Sequence, residues 1–180
     1  MAFPVYPAGV QVRKTVRLAF VTTIADLEAP KIATEVSAAS SQDISCYVTP
    51  EGWKPSLTQN KGAAPRRICS GNDRQNLGAV MYELPDLLYA NNPQGADGSV
   101  DIAAMEKLVP GTEGYIIERL GLDIDSTDWV VGQFVNVWPV KLGSQLDEYD
   151  VTDEFGEYLV RQPIVVAGSG EPTRRAVLAT

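Results

Sequence analysis

The chain has 180 residues, of which 44% are hydrophobic and 21% are charged, and its formal net charge is −8. These values are ordinary for a single globular domain, and the acidic balance argues against a general basic surface for binding nucleic acid. There is no histidine, which excludes His-dependent nucleophile pairs and zinc sites that need His. The only two cysteines, Cys46 and Cys69, are too few for a disulfide framework.

The N-terminal residues 1–18 lack the charged head and apolar core of a secretion signal. No apolar run approaches the roughly 20 residues that a membrane-spanning helix needs. We therefore expect a soluble protein that is assembled in the cytoplasm, where a disulfide between Cys46 and Cys69 is not favoured.

The first predicted strand lies within residues 12–23, where Val16, Leu18 and Phe20 alternate with polar side chains. Alternation of this kind is typical of a half-buried strand. Shorter strands are predicted at residues 31–38 and 44–49. The second of these would place Cys46 on an apolar face, so we expect a buried structural thiol.

Residues 50–74 have no periodicity and are rich in Pro, Gly, Asn and Ser, which predicts a long loop. Such a length without secondary structure is unusual inside a compact domain and suggests a function. The loop is basic on an otherwise acidic chain. Its basic side chains are Lys54, Lys61, Arg66, Arg67 and Arg74.

One helix is predicted, over residues 99–109. Ser99 can act as its N-cap, Asp101 lies in the first turn where the helix dipole favours an acid, and Pro110 ends it. Further strands are predicted at residues 79–84, 114–120, 129–140 and 157–167.

The predicted strand at residues 129–140 is apolar on both faces. Val135 and Val137 lie on one face, and Phe134 and Trp138 lie on the other. A surface strand normally has one polar face, and one short helix can cover only part of a sheet. We therefore expect a neighbouring subunit to cover part of the second face.

These elements predict a mainly β fold, a β-sandwich or β-barrel of about seven strands with one flanking α-helix. We expect a single domain over residues 1–167 and a mobile C-terminal arm over residues 168–180.

The segment 143–157 contains six carboxylates. They could bind calcium, but their spacing does not match an EF-hand loop. They could also supply the carboxylate pair of a glycosidase, but the sequence gives no reason to choose two of the six. A solvated acidic surface, or a contact with the basic loop of another copy, is the simpler interpretation. No phosphate-binding glycine loop is present, so we predict no catalytic residue, no metal site and no cofactor.

Several motifs occur in an order that covers most of the chain from about residue 40 to residue 167. They are DISCYVTPEGWKP, RRICS, LPDLLYANNPQ, LVPGTEGYIIERLG, GQFVNVWPVKLG and VRQPIVV. In sequence and order they resemble the major tail tube proteins of long, non-contractile-tailed bacteriophages (the siphovirus type), especially those of actinobacterial hosts.

The resemblance implies a structural virion protein rather than an enzyme. Such subunits form hexameric rings with a continuous inner β-barrel, and the rings stack through loops and terminal arms into a tube for genome passage. The implied partners are further copies, the tape-measure, tail-tip and tail-terminator proteins and the passing DNA, with no membrane. The alternatives are another tail or head–tail ring protein (a terminator or baseplate hub) and a β-sandwich carbohydrate-binding module or hydrolase.

We expect the basic loop of one ring to contact the acidic segment of the next. Six chains at −8 each give −48 per ring, and an acidic channel wall would repel DNA across roughly 8 Å, about one Debye length. The candidate assembly residues are Trp53, Lys54, Arg66, Arg67, Trp138, Asp153 and Glu154.

Overall fold

The computed structural model describes residues 12–64, 75–125, 127–150, 152, 156–168 and 171–180. The fold is mainly β, as predicted, but the described part of the chain forms more strands than the expected seven. The strands are β1 (Val16–Val21), β2 (Gln42–Asp43), β3 (Ser56–Ala63), β4 (Gln75–Glu83), β5 (Leu87–Ala90), β6 (Glu113–Leu120), β7 (Phe134–Leu142), β8 (Leu146–Glu148), β9 (Leu159–Gln162), β10 (Ile164–Val166) and β11 (Thr173–Val177).

Helical structure is sparse. A π-helical turn spans Ile32–Val36, and a 3-10 turn at Val100–Ile102 leads into α1 (Ala103–Lys107). The position predicted for a helix is thus confirmed, although only five residues are α-helical and Ser99 makes no side-chain cap. No helix in the described residues is long and apolar enough to cross a membrane.

The central sheet has the strand order β10–β7–β6–β1–β2, and β11 also pairs with β7. All of these pairs are antiparallel. β6 lies in the middle, with Ile117 opposite Ala19 of β1 and Val137 of β7. Separate small sheets are formed by β5–β9–β8 and by β3–β4.

The central sheet is buried on both faces, and each face has its own core. The first core contains Leu18, Phe20, Ile44, Trp53, Leu87, Tyr89, Ala104, Leu108, Ile116, Val140, Leu142, Val160 and Ile164. The second core contains Ala19, Val21, Ile24, Val36, Ile117, Val135, Val137, Ala176 and Leu178. β1 is therefore covered on two sides rather than half-buried, because its successive side chains enter different cores.

The sheet β5–β9–β8 and α1 cover the first face. Buried Gln162 connects these layers, since its side-chain amide donates to the carbonyls of Leu108 and Gly143 at 2.9 Å each. Gln145 donates to the hydroxyl of Tyr89 at 2.9 Å. Burial raises the pKa of Tyr89 well above its ordinary value, so this phenol stays neutral.

The second face is covered by residues 24–36 and by the C-terminal segment of the same chain. The buried carboxylate of Glu35 accepts hydrogen bonds from the backbone N–H groups of Ala25 at 2.8 Å and Lys31 at 2.7 Å. Ala179 donates to the Pro30 carbonyl at 2.8 Å, which fastens the C-terminus beside this segment. The chain thus covers this face itself, and the expectation that a neighbouring subunit covers part of the face that carries Phe134 and Trp138 stays a prediction, since Phe134 is 53% exposed.

Two predicted strands are wrong for a local reason. Within residues 31–38, the segment Ile32–Val36 forms the π-helical turn, whose Glu35 satisfies backbone donors that a strand would have directed elsewhere. Residues 44–49 form a turn, in which the N–H groups of Tyr47 and Val48 both donate to the Ile44 carbonyl at 3.1 Å. Alternation does not hold through a turn, and Cys46 is exposed rather than buried. Cys69 lies outside the described residues.

Other boundaries also differ. The strand predicted at residues 129–140 begins only at Phe134, and the preceding residues form a loop. Pro163, which has no N–H to donate, separates β9 from β10, and these two strands belong to different sheets. Residues 173–177, expected in a mobile arm, form β11. Residues 56–63, expected in a loop, form β3.

The C-terminal packing predicts the effect of Leu178→Ala. Leu178 is fully buried in the second core, so its truncation should lower the free energy of unfolding by about 2–5 kcal/mol. Val177→Ala is the matched control, because Val177 is 41% exposed and its truncation should cost only about 0.5 kcal/mol. Urea denaturation followed by circular dichroism measures both. Equal, small effects would mean that the C-terminal segment does not pack on the sheet.

Candidate assembly surface

The most exposed part of the fold is the two-stranded ribbon of β3 and β4, which we call the arm. β3 and β4 pair with each other along their whole length, with one register shift between Gln59 and Lys61. Nearly every residue of both strands is exposed. At roughly 3.4 Å per residue, the arm is about 25 Å long. A two-stranded ribbon of this kind is only marginally stable in water by itself.

Large apolar side chains lie on both faces of the arm. Leu77 is 67% exposed and Met81 is 61% exposed, and Leu57 and Val80 are also exposed. Leu57 and Val80 share one face, whereas Met81, next to Val80 along β4, lies on the other. Several exposed large apolar side chains on one ribbon are typical of a surface that contacts another molecule.

Three aromatic rings join the base of the arm to the body. Tyr82 of β4 lies 6.3 Å from Trp138 of β7, and Trp138 lies 6.1 Å from Trp53, both in edge-to-face geometry. Such pairs add about 0.5–1.5 kcal/mol each beyond the burial of their area. Two of the candidate assembly residues, Trp53 and Trp138, are thus adjacent and hold the arm to the first core.

A buried carboxylate orients both indoles. Glu118 of β6 is only 7% exposed. It accepts hydrogen bonds from Trp53 Nε1 at 2.8 Å, Asn136 Nδ2 at 2.9 Å and Trp138 Nε1 at 3.3 Å. A buried charge is tolerated only when hydrogen bonds replace its hydration, and these three donors do so. The sequence showed an acid inside an apolar strand, which is the signal that could have identified this cluster.

On the opposite face of β6, Arg119 holds the loop over residues 121–133. Its guanidinium donates to the carbonyls of Asp128 at 2.8 Å and Thr127 at 3.0 Å. Arg119 and Arg17 both lie over the ring of Trp129, at 5.3 and 4.9 Å. Burial and the neighbouring Arg17 lower the pKa of Arg119. The contacts fix the loop against the sheet.

The acidic segment, residues 143–157, contributes strand β8 to the sheet β5–β9–β8. β8 pairs only with β9 among the described strands, so its other edge is free. Arg161 of β9 forms an ion pair with Glu148, and this partner lowers the pKa of the Glu148 carboxyl. Tyr149 and Tyr158 face each other with ring centroids 5.7 Å apart. In the described residues, no three His, Cys, Asp or Glu side chains come together as metal ligands.

The other candidate assembly residues divide into two groups. Lys54 is exposed next to buried Trp53. Arg66, Arg67, Asp153 and Glu154 lie outside the described residues. The predicted contact between the basic loop and the acidic segment therefore stays a prediction. Sequence reasoning missed the arm itself, because β3 has few β-branched or aromatic residues and its partner strand is the only reason for its extended form.

The hydrogen bonds of Glu118 predict a large effect of Glu118→Gln. The amide has one acceptor oxygen where the carboxylate has two, so at least one buried N–H should be left unsatisfied, at a cost of about 1–3 kcal/mol. Glu113→Gln is the matched control on the same strand, since its ion pair with Lys141 is exposed and contributes about 0–1 kcal/mol. Chemical denaturation measures stability, and hydrogen exchange of β3 and β4 reports release of the arm. Equal values for the two variants would contradict the anchoring role.

The contacts of Asp128 predict part of the acid sensitivity. The Trp129 N–H and the Arg17 guanidinium, at 2.8 and 2.9 Å, lower the pKa of its carboxyl. A pKa lowered in the folded state stabilises the fold above the ordinary pKa, and the stabilisation is lost as the pH falls through the lowered value. Between about pH 5 and pH 2, stability should therefore fall less steeply in Asp128→Asn than in the wild type.

The control for this measurement is Asp97→Asn, because the exposed carboxylate of Asp97 makes no hydrogen bond to any described residue. Its pH profile should follow that of the wild type. If Asp128→Asn also follows the wild type, then the contact with Arg17 does not contribute to acid stability.

A comparison with protein families gives a match. The family model described as phage tail tube protein matches residues 3–179, which is nearly the whole chain. No curated protein matches the chain. The match covers the arm, both cores and the acidic segment, and the chain therefore belongs to the phage tail tube protein family.

Proposed function

We propose that this phage tail tube protein is a structural subunit whose copies form hexameric rings, and that these rings stack into the tube through which the phage genome passes. Family membership supports a structural role in the tail of the virion. The exposed arm is the observation that carries the finer proposal. The long non-contractile tail and the actinobacterial host stay predictions from the resemblance.

The arm supports self-assembly because the described part of its own chain does not cover it. Leu57, Leu77 and Met81 remain exposed, and the outer edge of β3 has no partner among the described strands. An uncovered apolar ribbon with a free edge invites strand addition by another chain. A second copy is the partner that a ring supplies at a fixed position.

The free edges also favour a closed ring. β3 pairs only with β4 and β8 pairs only with β9 among the described strands. Addition of β3 of one copy to β8 of the next would join one free edge of each small sheet, and a sheet that closes fully into a barrel has no edges. The proposed inner barrel would therefore contain the two small sheets rather than the central sheet, which its own chain covers on both faces.

The net charge of −8 supports a channel for DNA. A basic channel wall would bind phosphates and release counterions, which would retain the duplex. We propose that part of the acidic surplus faces the lumen and keeps DNA from binding. The tape-measure, tail-tip and tail-terminator proteins are the proposed partners at the inside and ends of the tube.

The proposal predicts that charges on the arm block assembly without unfolding the subunit. In the variant Leu77→Glu/Met81→Glu, rings and tubes should be absent in negative-stain electron microscopy over a concentration series at which the wild type forms them. Because both side chains are exposed, the free energy of unfolding should change by less than about 0.5 kcal/mol per site. Size exclusion should show monomers.

Leu120→Glu is the matched control, because Leu120 is exposed at the end of β6, outside the arm. This variant should assemble like the wild type. Normal tubes from the arm variant would refute the role of the arm. A wild-type chain that forms neither rings nor tubes at any concentration, with or without the tail-tip partner, would refute the proposed function.

A further inference from the structure

A groove lined by tyrosines and carboxylates lies beside the sheet β5–β9–β8. Two adjoining cavities of about 450 and 360 Å³ share Gly156 and Glu157 in their walls. Asn91, Asp101 and Tyr158 line the larger cavity, and Tyr149 lines the smaller one. We call these five side chains, Asn91, Asp101, Tyr149, Glu157 and Tyr158, the tyrosine groove.

The groove has negative charges without partners. The carboxylates of Asp101 and Glu157 are exposed, and neither makes a hydrogen bond or ion pair with any described residue. By contrast, the neighbouring Glu148 is paired with Arg161, and Asp150 accepts hydrogen bonds from Thr152. The groove therefore carries two exposed negative charges that no described side chain pairs with.

A second observation points to a hydrogen-bond donor. Asn91 is nine-tenths buried in the wall of the larger cavity, and its Oδ1 has no hydrogen-bond partner among the described residues. An unsatisfied buried acceptor costs about 1–3 kcal/mol. A donor in the cavity would remove this cost once the Asn91 amide turns its Oδ1 towards the cavity, so the buried amide and the exposed carboxylates favour the same kind of ligand.

The two tyrosines narrow the choice of ligand. Tyr149 is 62% exposed and Tyr158 is 54% exposed, although their rings lie 5.7 Å apart. A guanidinium stacks on an aromatic face and offers five donors in a planar fork, whereas an ammonium is a hydrated point charge. Carboxylates beside exposed rings therefore suit arginine better than lysine.

We propose that the tyrosine groove binds arginine side chains from residues 65–74 of a second copy. In the sequence these residues lie between β3, which ends at Ala63, and β4, which begins at Gln75. By sequence they contain Arg66, Arg67 and Arg74 against one acid, Asp73. The charge is thus complementary to the groove. The inference rests on the proposed function, since it requires copies that contact each other.

The test uses charge reversal in the full-length chain. The groove variant Asp101→Arg/Glu157→Arg and the arm variant Arg66→Glu/Arg67→Glu should each assemble into tubes at least tenfold more slowly than the wild type, because like charges then oppose each other. Light scattering and electron microscopy measure assembly, and chemical denaturation confirms that each variant is folded. Raising the salt concentration should slow the wild type towards the variants, since salt screens exposed charges.

Mixing the two variants distinguishes contact between copies from contact within one chain. In the mixture, the unchanged arm of one variant meets the unchanged groove of the other, and the two reversed surfaces match as well. Assembly should therefore recover to within a few-fold of the wild type. If arm and groove met within one chain, every chain in the mixture would stay mismatched and assembly would stay slow, which would refute the proposal.

The control variant is Glu28→Arg/Glu171→Arg, which makes the same change of charge at exposed sites outside the groove. It should assemble at the wild-type rate. Groove variants that form tubes as fast as the wild type would overturn this inference and leave the proposed function intact. A wild-type chain that forms no rings or tubes would overturn both.

Discussion

The fold depends on one constraint, which is that the central sheet must be covered on both of its faces. Side chains of β1, β6 and β7 alternate between two cores, so neither face can be left to solvent. The chain covers one face with α1 and the sheet β5–β9–β8, and it covers the other face with residues 24–36 and the C-terminal segment. Among the described residues no segment covers the arm, whose apolar side chains are exposed. The same constraint that closes the body thus leaves the arm exposed for the contacts with other copies that we propose.

Two adjacent charged residues of β6 connect this body to the surfaces that we propose for assembly. Glu118 and Arg119 are buried on opposite faces of the sheet, since successive residues of a strand alternate. Glu118 holds the indoles at the base of the arm, and Arg119 holds the loop that precedes β7. Each charge is matched by several fixed hydrogen-bond partners, so each also specifies one arrangement of the segment that it binds. The positions of arm and loop therefore follow from the packing of a single strand.

Much of the fold could be predicted from local pattern. The strands near residues 16–21, 79–83 and 114–120 and the position of the helix could be predicted from residue type and from the turn residues that bound each segment, and these elements are present in the structure. The predictions that were wrong concern segments whose conformation depends on contacts outside the local pattern. The extended form of β3 depends on pairing with β4, the turn around Cys46 depends on hydrogen bonds to Ile44, and β11 is ordered by contact with β7. In each case a distant or non-periodic contact overrides the propensity of the segment.

For the candidate assembly residues too, residue type could be used to select them, whereas their contacts could not be predicted. Trp53 and Trp138 could be singled out because large aromatic residues stand out in a loop and in a two-sided strand, but their contact with each other and with Glu118 joins residues far apart in the chain.

The sequence by itself determined the mainly β composition, the acidic charge, the absence of histidine chemistry and the motifs that resemble tail tube proteins, because these are properties of residue type and order. Only the tertiary structure decided that the second face of the central sheet is covered within the chain, that the arm is a free ribbon, and that Asp101 and Glu157 share a groove with two tyrosines. These results depend on which distant segments meet, and local periodicity carries no information about that.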